Sequence, residues 1–334
     1  MSQPGRTGGA LREPLTDEEI ATLPVYEWEI AAIGHEAPPF TYRVTEASIA
    51  DYCQAVRNDN PLYLDLAAAR RGPFGEIVAP PTYAFKCAPL RRNEVMHARG
   101  FASPEEKGLR ATPYAKAELF WYRPIRPGDE ITSVVRLEDK YQRRGNQFIT
   151  WRTRAVDGAG QPVVDYTYTI IWRQAARDPS AAPAQVGPTA VEPPPPPADP
   201  GDTLPTIDKV ESQAAIDQYA ELTRVRPRRG QSLHSDEGFA KRTIFAGTVN
   251  MGVATAAYCS EALERAFGPA TLLRPGARLE FKGTRPIRTG DAITVGGRVV
   301  ARSDRQAQCE LWVHNQDGQL CGIGTATAIL ASGG

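Results

Sequence analysis

The sequence predicts an α+β fold built from one domain duplicated in tandem, and three observations carry that prediction. Arg123-Pro124-Ile125-Arg126-Pro127-Gly128-Asp129-Glu130-Ile131-Thr132 agrees with Arg285-Pro286-Ile287-Arg288-Thr289-Gly290-Asp291-Ala292-Ile293-Thr294 at eight of ten positions, at an offset of 162 residues. Asp65, Ala69, Arg71, Phe74 and Val78 recur as Asp236, Ala240, Arg242, Phe245 and Val249 at an offset of 171. From Tyr114 the chain alternates apolar and polar residues through four runs separated by the turn signals PGD, RRGN and DGAG, the pattern of an antiparallel meander. A period near 165 residues is too long for a solenoid unit, so a whole domain of helix plus sheet is repeated.

Each element has a local reason. Residues 1–15 are Gly-rich and polar and are expected to lack fixed structure. Thr16 ahead of Asp17-Glu18-Glu19 reads as an N-cap followed by carboxylates in the first helical turn. FTYRV at 40–44 alternates as a strand, and Thr45 caps a helix whose Ile49, Tyr52 and Val56 face inward. That helix runs into Asn58-Asp59-Asn60-Pro61 and is expected to end or turn at Asn60, because Pro61 disfavours the helical region for the residue before it. The first domain spans 16–174. Residues 175–203 are rich in Pro and Ala, and Pro193–Pro197 favours an extended polyproline conformation, so this stretch reads as a linker. The second domain, 204–331, repeats the order with a helix around Ile216, a second helix from Val253 to Gly268, and strands through ARLEFKG, AITVGGRVV, QAQCELWVHN and LCGIGTATAIL.

Composition narrows the function classes. The 334 residues suffice for two domains that each bury a core. A formal net charge of zero gives no global field to recruit nucleic acid or an anionic membrane. The five cysteines are scattered, without CxxC or other metal spacing, and are expected to be reduced thiols packed in the core. The N-terminal stretch lacks the apolar core of a signal peptide, and no apolar run is long enough to span a bilayer, so a cytoplasmic protein is expected. No phosphate-binding Gly loop, nucleophile elbow or nucleotide fingerprint occurs.

The two copies differ where chemistry is expected. Ile49 and Tyr52 match Ile216 and Tyr219 at an offset of only 167, so the second copy carries four extra residues directly before His234. The insertion is filled by Arg224, Arg226, Arg228 and Arg229, which can form a solvated turn or grip phosphate or carboxylate through bidentate contacts. The R-P-x-R-x-G-D segments read first as local devices, with Pro interrupting a ladder and Gly-Asp making the reversal; a phosphate contact is the lesser reading. Of the other histidines, His314 lies beside a hairpin turn, and His35 and His97 lie in loop-like text.

The tract His234-Ser235-Asp236-Glu237-Gly238-Phe239 through Gly252, the order of elements and the paired R-P-x-R-x-G-D strands resemble the MaoC-like enoyl-CoA hydratase/dehydratase group (hydratase 2). The first half resembles its FAS1-like dehydratase N-terminal domain. The resemblance covers nearly all of 25–331 outside the linker. It implies a double hotdog, two tandem hotdog domains each with a central helix wrapped by an antiparallel sheet, and an acyl thioester site where the halves meet. It further implies a soluble hydro-lyase of fatty acid metabolism acting on acyl-CoA or another acyl thioester. Coenzyme A would enter only as part of the substrate, with no separate cofactor or metal and no nucleic acid or membrane partner. A homodimer of double hotdogs is the assembly that the resemblance allows.

The family tract G-D-x-N-P-x-H-x-D carries over only in part. His234 falls on the catalytic His and Asp236 on the following Asp, but Arg229 occupies the catalytic Asp slot, Gln231 the Asn slot and Ser232 the Pro slot. In the first half Asn60 and Pro61 match, while Asn58 takes the Asp slot and Tyr63 the His slot. Adding water across a 2-enoyl thioester needs a base at the water, an acid for C2 and donors for the enolate oxygen. His234 is the expected acid/base, with Gln231 and Asn58 as catalytic helpers. Arg228, Arg229, Asn60, Tyr63 and the start of the central helix at Gly252 are the expected substrate contacts. A hotdog thioesterase using Asp59, and a non-catalytic thioester-binding or partner subunit, are the competing readings.

Overall fold

The computed structural model describes residues 15–175, 203–224, 232–243 and 245–330. The expectations for the first fourteen residues and for 176–202 lie outside the described residues. The first half runs α1 (Asp17–Thr22), β1 (Phe40–Arg43), α2 (Glu46–Val56), α3 (Pro61–Leu64), α4 (Leu66–Arg71), a 3-10 turn (Pro81–Tyr83), α5 (Ala84–Cys87), α6 (Arg92–His97), then β2 (Tyr114–Trp121), β3 (Glu130–Arg143), β4 (Asn146–Val156) and β5 (Pro162–Arg173). The second half runs β6 (Ile207–Val210), α7 (Gln213–Leu222), α8 (Glu237–Lys241), α9 (Gly252–Phe267), then β7 (Arg278–Gly283), β8 (Ala292–Arg302), β9 (Gln306–Asn315) and β10 (Leu320–Ile329).

All ten strands form one sheet in the order β1-β3-β4-β5-β2-β7-β10-β9-β8-β6, two five-stranded halves joined edge to edge. The seam is the antiparallel pair β2 and β7, with Glu118 opposite Glu280 and Leu119 opposite Leu279. Two carboxylates face each other at its centre, a repulsive arrangement on its own. Lys116 (3.1 Å) and Lys282 (2.7 Å) hold Glu280, and Arg278 holds Glu118. The fold is the expected α+β double hotdog.

Duplication is visible atom by atom. Thr45 and Ser212 cap the equivalent helices α2 and α7, which pack against each other. Asp65 and Asp236 cap α4 and α8, each accepting the backbone N–H three residues on. Ala79 N–H donates to Ile125 O, and Asn250 N–H donates to Ile287 O in the same register. The five cysteines are free and buried, and burial pushes each thiol up, Cys53 to about 12.

Three expectations need correction. Helix α2 stops at Val56 rather than Asn60, because Arg57 adopts the left-handed conformation (φ 54°) and Pro61 instead opens α3. His97 closes α6 rather than lying in a loop. The first half also lacks a long central helix. Where α9 runs for 16 residues, the first copy has only Pro81–Tyr83 and Ala84–Cys87. Ala88 precedes Pro89 and leaves the helical region at φ −129°, ψ 65°, as a residue before proline must.

The single long helix therefore occupies the middle of the joined molecule, and every residue from Ala254 to Glu264 is buried. Its acidic residues are held by partners. Lys209 lies 2.9 Å from Glu261, and Glu264 accepts from Ser260 (2.7 Å), Tyr63 (2.8 Å) and Asn58 (3.0 Å). Burial pushes the Glu264 carboxyl up against the opposing effect of those three hydrogen bonds. A raised carboxyl keeps in the folded state a proton that the unfolded chain releases, so its contribution is complete below about 4.5 and is lost as pH rises towards the folded value. In urea unfolding between pH 4 and 7.5, the stability advantage of the parent chain over Glu264→Gln should shrink as pH rises. An advantage independent of pH would show that the carboxyl titrates alike in the folded and unfolded chain, and one that grows with pH that Glu264 is ionised in the fold.

Candidate active site

The loop carrying His234 is pinned from both sides by its own neighbours. Its amide donates to Ser232 Oγ (3.1 Å), Asp236 N–H donates to Ser232 O, and Asp236 then caps α8. Its carbonyl accepts from Gln213 Nε2 of α7 (2.8 Å), and Gln213 Oε1 accepts from Thr248 (2.6 Å) and Thr289 (3.2 Å). The ring is fixed as well, with Nδ1 2.8 Å from Val249 O. A carbonyl only accepts, so Nδ1 carries a proton, and whenever the ring is neutral its lone pair is on Nε2.

His234 lines a cavity of about 440 Å³ that both halves enclose. Arg92, Glu105, Thr112, Tyr114 and Tyr168 come from the first half; Ser232, Asn250, Gly252, Thr255 and Arg285 come from the second. The start of α9 therefore faces the cavity. Its N-cap, Met251, has no side chain to satisfy the first turn, so the opening N–H groups and the positive helix end are presented there. Glycine at 252 is required by close approach, because a Cβ would stand 2.3 Å from Tyr114 Cδ1. Tyr114 is held in that position by its hydroxyl, which donates to Phe281 O at 2.7 Å.

Part of the remaining polar lining is arranged in pairs. Asn250 donates through Nδ2 to Thr255 Oγ1 (2.9 Å), and Glu105 contacts Arg92 and accepts from Thr112 N–H (2.8 Å). Glu105 is the one carboxylate among the described lining residues. Burial pushes the Tyr168 phenol up to about 12 and Tyr114 well above its usual range, so both stay protonated near neutral pH.

Among the expected site residues, His234 and Gly252 meet in this cavity. Gln231, Arg228 and Arg229 lie outside the described residues. Asn58 and Tyr63 do not reach it: both are buried on Glu264, twelve residues along α9 from Gly252, about 18 Å at 1.5 Å per residue. Asn60 is likewise a structural group, the cap of α3 through Leu62 N–H. In the structure these three take packing and capping roles away from the cavity, with the end of α9 bonded to Asn58 and Tyr63. Asp59 is exposed and outside the cavity lining. Sequence reasoning passed over Asn250, although it stands where the first copy has Ala79, a polar gain inside an apolar repeat.

Comparison with known proteins agrees with this architecture. Residues 31–166 match the family model of the FAS1-like dehydratase domain region. A UPF0336 protein of Saccharopolyspora erythraea is 28% identical over 148 residues, which are 44% of this chain and 92% of that protein. A solved MaoC-like dehydratase superposes with a TM-score of 0.71 at 18% identity, over 90% of this chain and 99% of the other. A Mycobacterium tuberculosis protein described as having a double hotdog fold gives 0.59 at 15% identity, over 90% and 97%. At these identities the solved structures speak to fold alone.

The contact between Gly252 and Tyr114 offers a direct check. Gly252→Ala should destabilise the chain by about 1–3 kcal/mol, the usual cost of overpacking. In a double-mutant cycle most of that loss should vanish in a Tyr114→Ala background, measured by denaturant unfolding. An equal loss in both backgrounds would contradict the close approach.

Proposed function

From a FAS1-like dehydratase region set within a double hotdog fold, we propose that the protein reversibly hydrates a 2-enoyl thioester to a 3-hydroxyacyl thioester, with His234 as acid/base. The observation that carries the reading is that an oriented imidazole and the uncapped start of a buried helix line one cavity between the halves. With Nδ1–H committed to Val249 O, Nε2 takes a proton from water as the water oxygen bonds to C3. The electron pair of the C2–C3 double bond moves to C2 and the thioester oxygen. Backbone N–H groups at Gly252 and the residue after it stabilise that enolate, and Nε2 then returns the proton to C2. Atoms and charge balance with one group serving both transfers.

Beside His234 the described lining offers one other proton-transfer side chain of the carboxylate or imidazole type, Glu105, and it is engaged by Arg92. A positioned acid/base contributes about 10²- to 10⁴-fold, so one histidine with an oxyanion site supports hydration at a moderate rate. A thioesterase would want a carboxylate at the thioester carbonyl, and exposed Asp59 does not supply it.

The test follows enoyl absorbance and free thiol together with short, branched and dicarboxylic enoyl-CoAs. Absorbance loss without thiol is the expected result; thiol release would make the protein a thioesterase, and binding without either a carrier or partner subunit. His234→Ala should lower kcat by about 10²-fold or more, while Tyr63→Phe, remote on Glu264, should cost less than about tenfold. Full activity in His234→Ala would overturn the assignment.

A further inference from the structure

The duplication supplies an internal control for one residue of the cavity wall, Arg285. Its counterpart in the first copy is Arg123, and the two copies treat this arginine differently. Arg123 is locked by carboxylates, reaching Asp129 at 2.8 and 3.3 Å and Asp157 at 3.3 Å. Asp157 opens the hairpin turn between β4 and β5, where its Oδ1 also accepts from the N–H groups of Ala159 and Gln161. In the second copy Asn315 holds the same place between β9 and β10, accepting from Asp317 and Gln319 in the same manner. The turn survives, but its first residue no longer carries a negative charge. Asp291, the counterpart of Asp129, keeps its bond from Arg288 N–H (2.7 Å) but places its other oxygen 3.2 Å from Gln316 Nε2. A further acid has been lost nearby: Glu76, which pairs with Arg126 at 2.6 Å, corresponds to Gly247.

Among the described residues the Arg285 side chain has no hydrogen bond and no ion pair, and it lines the cavity that holds His234. Arg92 and Glu105 cancel in the same wall, so Arg285 leaves the described lining with an excess positive charge. An arginine released from two acids while its turn is retained is a group arranged for an anion from outside. Its position says which end of a substrate. Arg285 is half-buried and follows Gly283 and Thr284, which with Gln174 form the exposed rim of the cavity.

We propose that Arg285 binds a phosphate of the thioester's carrier group at the mouth of the cavity, a specificity contact that rests on the thioester reading above. The phosphate can be the one next to pantetheine, shared by coenzyme A and a phosphopantetheinyl carrier protein, or one at the nucleotide end of coenzyme A alone.

The test uses the full chain with coenzyme A, 4′-phosphopantetheine and pantetheine as probes in calorimetric titrations. Arg285→Gln should weaken coenzyme A binding about tenfold, Arg285→Lys should restore part of it, and pantetheine should bind parent and variant within about twofold. Equal weakening of phosphopantetheine assigns the phosphate shared with a carrier protein; weakening of coenzyme A alone assigns the nucleotide end. Arg123→Gln should lower thermal stability through its lost ion pairs and leave coenzyme A affinity unchanged. Unaltered coenzyme A affinity in Arg285→Gln overturns the proposal, as does an equal loss for pantetheine or no binding of coenzyme A by the parent. A larger loss for a carboxylate-bearing acyl pantetheine than for coenzyme A also overturns it, since the anion would then lie on the acyl side. Binding needs no turnover, so the two readings separate. An Arg285 effect without hydration leaves the phosphate contact standing and removes the hydratase, and hydration with unaltered affinity does the reverse.

Discussion

Strand β2 meets strand β7 with Glu118 directly opposite Glu280, and the rest of the molecule depends on that seam holding. Two half-sheets with open edges would each be a template for unwanted pairing; joined there, each covers the edge of the other. The acid pair at the centre is tolerable only because Lys116, Lys282 and Arg278 surround it. Burial alone would raise the Glu280 carboxyl, but hydrogen bonds from Lys282 and Lys116 hold it below the usual range. The seam also sets Tyr114, at the start of β2, against Gly252, and thereby builds one wall of the cavity from each copy.

Joining two copies in this way creates two equivalent places for a pocket, and the copies resolve them oppositely. At one end of α9 the helix opens on a cavity with His234, Asn250 and Gly252. At the other end Glu264 enters the first copy's loop and takes the donors of Asn58 and Tyr63, so the space is filled by a satisfied polar cluster. Such a cluster specifies how the halves dock, because each donor left without Glu264 would be buried and unpaired. The cost of duplication is thus confined to one end, and the other is left to diverge.

Much of the fold was legible because its causes are local. Thr16 and Thr45 cap helices through their own side chains, the hairpin turns follow Gly and Asn, and the repeated decapeptide fixes equivalent strands. The site was half legible. His234 and Gly252 meet at the start of α9, whereas Asn58 and Tyr63 lie at its far end on Glu264. Equivalence of slots says which residues correspond, not which end of the partner's helix enters each pocket. Glu264 carries no local signal, since a glutamate on a helix reads as solvated until the other half covers it. The release of Arg285 was hidden for a related reason: the motif around it is intact, and the missing partner lies on a different hairpin.

The central claim is that the joined halves keep a single ligand centre at His234, with its opposite number occupied by Glu264. The most direct measurement is NMR of the chain with isotope-labelled histidine rings, titrated with a non-hydratable thioether analogue of an enoyl-CoA. Four histidines give few resonances, and His234→Ala assigns the relevant one. The account predicts that His234 rests in the Nδ1-protonated tautomer, that its Nε2 signal shifts most, and that one equivalent of ligand saturates the change. Saturation at two equivalents, or an unmoved His234 signal while the ligand binds, would contradict it.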